Sequence, residues 1–255
     1  MSPIRLFVTF CVTICLGNQP IKGTVDFVID NFDKYQFYFM TNNTSKDIND
    51  YVLKLKGLGI NVEYDQIISP IEQLVKYMLN NNINNIYLVG NEILKNYIKS
   101  NIGSLNITSD SDKCEAVVLG YDTELTYDKL KNASLLLHND DILYLATHND
   151  IVCPTDLGDI PDIGTTLKTI EMTTNRIPNL IFGKPNPRLL TNILLKYDKN
   201  EIVIVGDRIY TDKILANNSE IDFILVLSGE SNRNDVENLD LPPKLILKDL
   251  GELIT

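Results

Sequence analysis

Short apolar runs alternate with amphipathic segments along most of the chain. Apolar runs bounded by polar residues are typical of buried strands, and apolar residues recurring every three or four positions are typical of helices. Strands are predicted at 5–14, 36–40, 85–89, 116–119, 142–146, 180–182, 202–205 and 222–227. Helices are predicted at 25–32, 48–58, 92–98, 127–137, 164–175, 187–197 and 211–217. This alternation predicts an α/β fold built on a parallel sheet.

The composition narrows the class of partner. A chain of 255 residues with 44% hydrophobic and 22% charged residues can bury one large core or two smaller ones. The formal net charge of -11 argues against nucleic acid or an anionic membrane as the main partner, because both need a positive protein face. A small anionic ligand stays compatible with this charge, since a pocket can be positive within an acidic protein.

The N-terminal segment has two interpretations. Arg5 precedes the apolar run 6–16, whose length fits the hydrophobic region of a secretory signal and equally fits a buried strand. The four cysteines lack the paired spacing of a zinc site. No segment reaches the length of a membrane span. We therefore expect a cytoplasmic protein with reduced thiols.

Polar residues follow three of the predicted strands, where ligands bind at the carboxyl edge of a parallel sheet. Thr41 and Asn42 suit a phosphate group near a helix start, although such residues also cap helices. Lys184, in a Gly-Lys-Pro sequence, is either a point charge for an anion or a solvated lysine. Asp207 and Asp212 suit a divalent cation held by one carboxylate and waters, and Asp212 also fits an ordinary helix start.

Taken in order, these stretches resemble motifs II, III and IV of the haloacid dehalogenase (HAD) superfamily. The chain is most similar to its 4-nitrophenylphosphatase and phosphoglycolate phosphatase branch, which includes the NagD-like proteins. The segments GNQPIKGTVDFV, AVVLGYD and LSG extend the likeness over almost the whole chain. The resemblance implies a Rossmann-like HAD core of residues 1–84 and 177–255, with an inserted α/β cap domain at 85–176.

The resemblance also implies roles for individual residues. Thr41, Asn42 and Lys184 would hold a phosphoryl group, and Asp207 would bind Mg²⁺. Lys184 and Asp212 would be the remaining catalytic residues. Family chemistry is Mg²⁺-assisted phosphoryl transfer to an aspartate.

The first family motif, Asp-x-Asp-Gly, is degenerate in this chain. Counting back from Gly17, the two aspartates fall on Thr9 and Cys11, and the glycine falls on Val12. In the family the first carboxylate attacks phosphorus and binds Mg²⁺, and the second acts as acid and base. Thr9 and Cys11 supply neither function at neutral pH. We therefore expect a weakened Mg²⁺ site and a pseudophosphatase that binds a small phosphorylated ligand without turnover.

Two other functions stay open at this point. One is an active Mg²⁺-dependent phosphomonoester hydrolase whose N-terminal motif is altered by a gene-model or sequencing error. The other is a structural or partner-binding protein that forms a homodimer through the cap.

The resemblance also bears on the N-terminus and on the two histidines. Residues 1–17 would supply the central strand of the core, so retention is favoured over cleavage as a signal. His148 either lines the cap face or is a surface or packing residue, and His138 is expected at the end of a helix.

Overall fold

A computed structural model describes residues 4–17, 19–155, 157–237 and 239–253. The strands are β1 (Arg5–Thr9), β2 (Cys15–Leu16), β3 (Gln19–Pro20), β4 (Gln36–Met40), β5 (Ile67–Ile68), β6 (Asn85–Val89), β7 (Asn106–Ile107), β8 (Ala116–Leu119), β9 (Leu143–Ala146), β10 (Val152–Thr155), β11 (Gly158–Pro161), β12 (Leu180–Ile181), β13 (Ile202–Gly206), β14 (Asp222–Val226) and β15 (Leu245–Leu247). The α-helices are α1 (Lys22–Asp30), α2 (Ile48–Gly57), α3 (Pro70–Asn80), α4 (Glu92–Asn101), α5 (Tyr127–Leu137), α6 (Ile163–Thr174), α7 (Thr191–Leu194) and α8 (Ile214–Ser219). Short 3₁₀ turns lie at Tyr64–Gln66, Pro187–Leu190, Lys199–Glu201, Arg233–Val236 and Leu250–Glu252, and a π-helical turn lies at Ile209–Lys213.

The first sheet is parallel and has the order β15-β14-β13-β1-β4-β5. Strand β1 lies in its interior, between β13 and β4, and all five of its residues are buried. Leu6 and Val8 pack into one hydrophobic cluster, whereas Phe7 packs into another on the opposite face. The sheet is therefore covered on both faces, as expected for a parallel sheet.

The second sheet is also parallel and has the order β12-β9-β8-β6-β7. Helices α5 and α6 share one hydrophobic cluster with it, and α3 and α4 share another. The predicted cap bounds of 85–176 stay a prediction, and the packing of α3 and the pairing of β12 favour wider ones. The α/β fold with a Rossmann-like parallel sheet is confirmed, and no helix of the described residues is long and apolar enough to cross a membrane.

Several predicted elements match the structure, and the differences have local causes. The predicted strand at 5–14 is wrong beyond Thr9, because the chain turns there and the amides of Ile14 and Cys15 both donate to the Phe10 carbonyl. The predicted helix at 187–197 is only a 3₁₀ turn followed by the four-residue α7. Helix α3 was not predicted, although Ser69 caps it and Pro70 begins it, which is a common start signal.

An antiparallel hairpin formed by β10 and β11 was also not predicted. It follows β9 of the second sheet and carries Cys153 and Pro154 to the carboxyl edge of the first sheet, where both face Cys11 across a cavity. Through this hairpin, the segment that follows the second sheet contributes residues to the candidate site.

The turn after β1 contains a strained residue. Val12 has φ 61°, a left-handed backbone conformation that is an outlier for a β-branched residue. Its amide donates to the Cys15 carbonyl at 2.8 Å, and its own carbonyl accepts a hydrogen bond from Ser228 Oγ at 3.0 Å. These bonds hold the turn in a conformation that glycine would adopt without strain.

This strain predicts an inverted order of stability at position 12. Val12→Gly should be more stable than Val12→Ala by about 1 kcal/mol in urea unfolding, because the left-handed conformation penalises every L-residue. The control is Val25, which is similarly buried, at 7% exposed against 6%, but lies in α1. There the alanine variant should be the more stable by about 1 kcal/mol. If the alanine variant were the more stable at position 12 as well as at position 25, Val12 would not be strained.

Candidate functional site

A small cavity of about 30 Å³ lies at the carboxyl edge of the first sheet, and we call it the inner cavity. The residues predicted from the motifs line it together, although they are far apart in sequence: Thr41, Asn42, Lys184, Asp207 and Asp212. Cys11 lines it as well. Such a volume accommodates about two water molecules.

A buried ion pair forms one wall of the inner cavity. Lys184 Nζ donates to Asp212 Oδ1 at 2.7 Å, and both side chains are almost completely buried. The other Asp212 oxygen accepts from the Arg208 amide at 3.1 Å. The π-helical turn, in which the Lys213 amide donates to the Arg208 carbonyl, presents Asp212 to Lys184. Both oxygens of Asp212 are therefore already engaged.

Asn42 forms hydrogen bonds with two other loops of the site, those of Lys184 and Asp150. Its Oδ1 accepts from the Lys184 amide at 2.9 Å, and its Nδ2 donates to the Lys184 carbonyl and to the Asp150 carboxylate, each at 3.2 Å. Thr41 Oγ1 accepts from the Asn43 amide at 3.2 Å. The Asn42 side chain is thus occupied, and its contribution to a phosphate group is limited to its backbone amide.

Asp207 directly follows β13 and is almost fully buried. Thr13 Oγ1 donates to its Oδ1 at 3.4 Å, and the Glu230 amide donates to its Oδ2 at 3.1 Å. Burial and the neighbouring Asp212 raise the pKa of Asp207 to about 6. Gly229 is required beside it, because a Cβ there would collide with the carboxylate.

Thr9 occupies the end of β1 and is 1% exposed. Its hydroxyl forms a 2.8 Å hydrogen bond with the hydroxyl of Thr13, which in turn donates to Asp207. Thr9 does not line the inner cavity. A short chain of hydroxyl groups thus lies where the family motif has its first carboxylate.

Cys11 reaches the cavity that Thr9 does not. Its side chain is accessible to solvent from the cleft, yet the surrounding protein desolvates the thiol. This desolvation, with a smaller contribution from Cys153, raises the pKa of the Cys11 thiol to about 11. The group is therefore a protonated thiol at neutral pH, which is a weak acid and a weak nucleophile.

The donors in this region fit Mg²⁺ only in part. Mg²⁺ prefers oxygen ligands and is commonly held by one or two carboxylates with waters and a substrate phosphate. Asp207 supplies one carboxylate, whereas the Asp212 oxygens bind Lys184 and Arg208. Thr9 offers a neutral hydroxyl that is already bonded to Thr13. Of these residues, Asp207 is therefore the one that would hold Mg²⁺, together with waters.

The inner cavity differs in charge from the positive pocket that the sequence suggested. Its walls include four carboxylates, from Asp150, Asp162, Asp207 and Asp212, and two cations, from Lys184 and Arg208. With all six groups ionised, the wall has an excess of two negative charges, and burial opposes this state because it raises the pKa of both Asp162 and Asp207. An anion enters such a cavity favourably only together with a cation or with protons.

The motif-based prediction did not assign roles to Arg208, Asp150 or Asp162. Arg208 Nε lies 2.8 Å from Glu230, and its Nη1 lies 3.4 Å from Asp150. Arg208 follows Asp207 directly, and Asp150 lies in the Thr-His-Asn-Asp stretch after β9. Their positions just after strands were the sequence signal that could have marked both as site residues. Asp162 begins α6 and looks like an ordinary helix cap.

The two histidines lie in different environments. His138 follows α5 directly as its C-cap residue, as predicted. His148 is fully buried beside Asp150 and Asp162, so the surface position considered from the sequence is wrong.

A larger cleft of about 570 Å³ adjoins the inner cavity, and we call it the outer cleft. Cys11 and Cys153 line both spaces. Lys46, Lys54 and Tyr121 are among the other residues of its wall. A space of this size accommodates a small organic molecule.

Comparison with known proteins agrees with this arrangement. The haloacid dehalogenase-like hydrolase model matches residues 13–101, and the HAD-hydrolase-like model matches residues 181–253. The 4-nitrophenylphosphatase of Thermotoga maritima is 36% identical, with a TM-score of 0.88 over 98% of this chain and 96% of that one. The chain belongs to the HAD-like hydrolase family.

Other members of the HAD family extend the likeness. The acid sugar phosphatase of Staphylococcus saprophyticus is 28% identical over 246 residues, which are 95% of this chain and 93% of that protein. A glycerol phosphate phosphatase of Mycobacterium tuberculosis, solved in complex with magnesium, shares the fold. It is 24% identical, with a TM-score of 0.83 over 96% of this chain and 74% of that one. The predicted likeness to the NagD and 4-nitrophenylphosphatase branch is confirmed.

The raised pKa of Asp207 predicts a pH-dependent effect of Asp207→Asn. Because the folded pKa of about 6 exceeds the unfolded value of about 3.9, the cost of burying Asp207 builds up as the pH rises from about 4 to 6 and is constant above that range. The variant should therefore be more stable than the natural chain by about 2 to 3 kcal/mol at pH 8, without divalent cations. The difference should still be close to its full value at pH 6 and should fall to below about 1 kcal/mol at pH 4.

Urea unfolding at these three pH values measures the effect. Asp33→Asn is the matched control, because Asp33 is exposed and should give little change at any pH. A difference for Asp207→Asn that does not vary with pH would contradict the assignment of the raised pKa.

Proposed function

We propose that this chain is a HAD-family phosphatase relative that binds a phosphorylated small molecule and has lost efficient hydrolysis. The observation that carries the proposal is the chemistry at the end of β1. Transfer to an enzyme aspartate needs a carboxylate at this position, and the chain has Thr9, whose buried hydroxyl is bonded to Thr13.

Cys11 does not restore the missing chemistry. A general acid at neutral pH works best when its pKa lies near the pH of the medium. The thiol of Cys11, with a pKa raised to about 11, is far from this range. Its thiolate fraction is correspondingly small, which also disfavours nucleophilic attack on phosphorus.

The parts that bind a phosphoryl group are retained. Lys184 is held at the cavity wall by Asp212, and the Thr41–Asn42 segment follows β4 at the same sheet edge. The organic part of the ligand would occupy the outer cleft, where Lys46 and Lys54 add positive charge.

The charge of the inner cavity makes binding depend on a cation. When bound, Mg²⁺ supplies positive charge that offsets carboxylate and phosphoryl oxygens, and Asp207 is the residue that would hold it. Loss of the first-motif carboxylates lowers the affinity of this site for Mg²⁺. The ligand and the cation are therefore expected to bind cooperatively.

Restoring the first motif should restore turnover. The measurement is Mg²⁺-dependent hydrolysis of 4-nitrophenyl phosphate by the natural chain and by Thr9→Asp/Cys11→Asp/Val12→Gly. We expect a gain of about a hundredfold or more in the variant, because it regains both a nucleophile and an acid–base group. The matched control, Thr9→Asn/Cys11→Asn/Val12→Gly, has side chains of the same size without the carboxylates and should stay inactive.

Two results would count against this proposal. Hydrolysis by the natural chain at the level of the restored variant would mean that the chain is an active phosphatase. Inactivity of all three proteins would mean that the cleft is no longer arranged for phosphoryl transfer, and binding of a protein partner or dimerisation through the cap would then be the better hypothesis.

Calorimetry with inorganic phosphate tests the binding function. We expect measurable binding with Mg²⁺ and at least tenfold weaker binding without it, because the cavity has excess negative charge. Lys184→Gln/Asp212→Asn removes the ion pair without leaving a buried unpaired charge. It should weaken phosphate binding by about tenfold to a hundredfold, since a hydrogen bond to a charged group is worth about 1.5 to 3 kcal/mol. Lys22→Met, on the exposed face of α1, is the control and should bind like the natural chain.

A further inference from the structure

A buried polar cluster lies beside the inner cavity and consists of His148, Asp150 and Asp162, which we call the His148 cluster. His148 and Asp150 follow β9, and Asp162 begins α6 after the β10–β11 hairpin. Backbone hydrogen bonds hold the two segments together. The Asp162 amide donates to the Ile151 carbonyl at 3.0 Å, and the Gly164 amide donates to the Asp150 carbonyl at 2.8 Å.

His148 is the unusual member of this cluster. Its side chain is 0% exposed, and its Nε2 has no hydrogen-bond partner within the described parts of the chain. Buried polar atoms of folded proteins are almost always paired, so an unpaired one requires an explanation. Nε2 lies 3.6 Å from Asp162 Oδ1, and the other ring nitrogen, Nδ1, accepts from the Asp150 amide at 3.4 Å. Binding of a metal ion by Nε2 therefore needs the tautomer with the proton on Nδ1, which lies 3.8 Å from Asp150 Oδ2.

The distances fit shared coordination of an ion better than hydrogen bonds. A separation of 3.6 Å between Nε2 and Oδ1 is too long for a good hydrogen bond. Two ligand atoms at about 2.0–2.1 Å from one tetrahedral ion lie about 3.3 Å apart. One ligand atom from each of His148, Asp150 and Asp162 can be chosen so that all three lie within 4.8 Å of one another.

Neighbouring side chains orient the cluster from outside. Asn42 Nδ2 donates to both Asp150 oxygens at 3.2 Å. Arg208 Nη1 contacts Asp150 at 3.4 Å, but its Nε lies closer to Glu230, at 2.8 Å. The Arg208 charge is therefore shared with Glu230, and Asp150 keeps charge and lone pairs for a further partner. Outer groups of this kind commonly fix the carboxylate ligands of metal ions.

The charge of the inner cavity favours a cation at this place. Asp150 and Asp162 belong both to the His148 cluster and to the cavity wall, which has an excess of two negative charges. A divalent ion bound by these two carboxylates would offset that excess. Its remaining coordination position would face the inner cavity.

We propose that His148, Asp150 and Asp162 bind a divalent transition-metal ion, for which Zn²⁺ is the best fit. One imidazole nitrogen and two carboxylates are a donor set that suits Zn²⁺, whereas Mg²⁺ takes oxygen ligands and usually retains several waters. Three protein ligands leave an open fourth position, as in zinc sites that bind water or a ligand. This site is separate from the Asp207 position and does not depend on the proposed phosphate ligand.

Histidine NMR of the natural chain tests the proposal directly, because the chain contains only two histidines. Zn²⁺ alone is added to metal-free protein labelled with ¹⁵N-histidine, and His138→Gln assigns the two sets of ring signals. One equivalent of Zn²⁺ should shift the His148 signals and leave those of the exposed His138 unchanged. Shifts confined to His138, or no shift of either ring, would overturn the proposal without any variant at the site.

Equilibrium dialysis with Zn²⁺ then compares variants. His148→Gln and Asp162→Asn should each weaken binding at least tenfold, whereas His138→Gln, at the exposed end of α5, should stay within about twofold of the natural chain. Cys153→Ser tests the nearest alternative ligand, since Cys153 lines the same cavity. Loss of binding in Cys153→Ser with retention in His148→Gln would overturn the proposal, as would equally tight binding of Mg²⁺.

Discussion

The parallel pairing of β1 between β13 and β4 is the constraint on which the rest of the molecule depends. Because all three strands run in the same direction, the residues that follow them meet at one edge of the sheet. Alternate residues of β1 enter hydrophobic clusters on opposite faces, so this strand also joins the two halves of the core. None of this requires a carboxylate at Thr9. The fold can therefore persist after the chemistry at the end of the strand has changed.

The site is governed by the balance between buried carboxylates and the two buried cations. Lys184 neutralises Asp212 at 2.7 Å, and Arg208 is divided between Glu230 and Asp150. Burial, and after it the negative charge of Asp212, raise the pKa of Asp207. A pocket with this balance is prepared for cations as much as for phosphate. The proposed Mg²⁺ position at Asp207 and the proposed Zn²⁺ site at His148 use different side chains, but both depend on the negative charge of this cavity wall.

Hydrogen bonds between loops of the first and second sheets explain why residues from both sheets line the site. Asn42, which follows β4 of the first sheet, binds Asp150, which follows β9 of the second. Thr44 Oγ1 lies 3.3 Å from Thr147 Oγ1 and accepts from the Tyr121 amide at 3.1 Å. These bonds join segments that are remote in sequence, and the β10 strand that follows Asp150 lines the cavity with Val152, Cys153 and Pro154. Substitutions in the loops of the second sheet can therefore change the charge and the binding side chains at the edge of the first sheet without disturbing the strands of the first sheet.

The sequence by itself determined the α/β class, most strand positions and the residues at the strand ends, because apolar periodicity and strand-end polarity are local properties. It also showed Thr9 and Cys11 at these positions, and the resemblance to the family implies that they stand where its first motif has aspartates. Only the tertiary structure decided that Thr13 reaches Asp207, 194 positions away, that Val12 is left-handed, and that the cavity has excess negative charge. Likewise, the sequence around Asp162 indicates an ordinary helix cap, and that around His148 is compatible with a packing residue. Only the fold shows that the two side chains lie close together. The local sequence pattern does not predict such long-range contacts. They depend on which distant segments pack together in the fold and on which charged side chains are buried there.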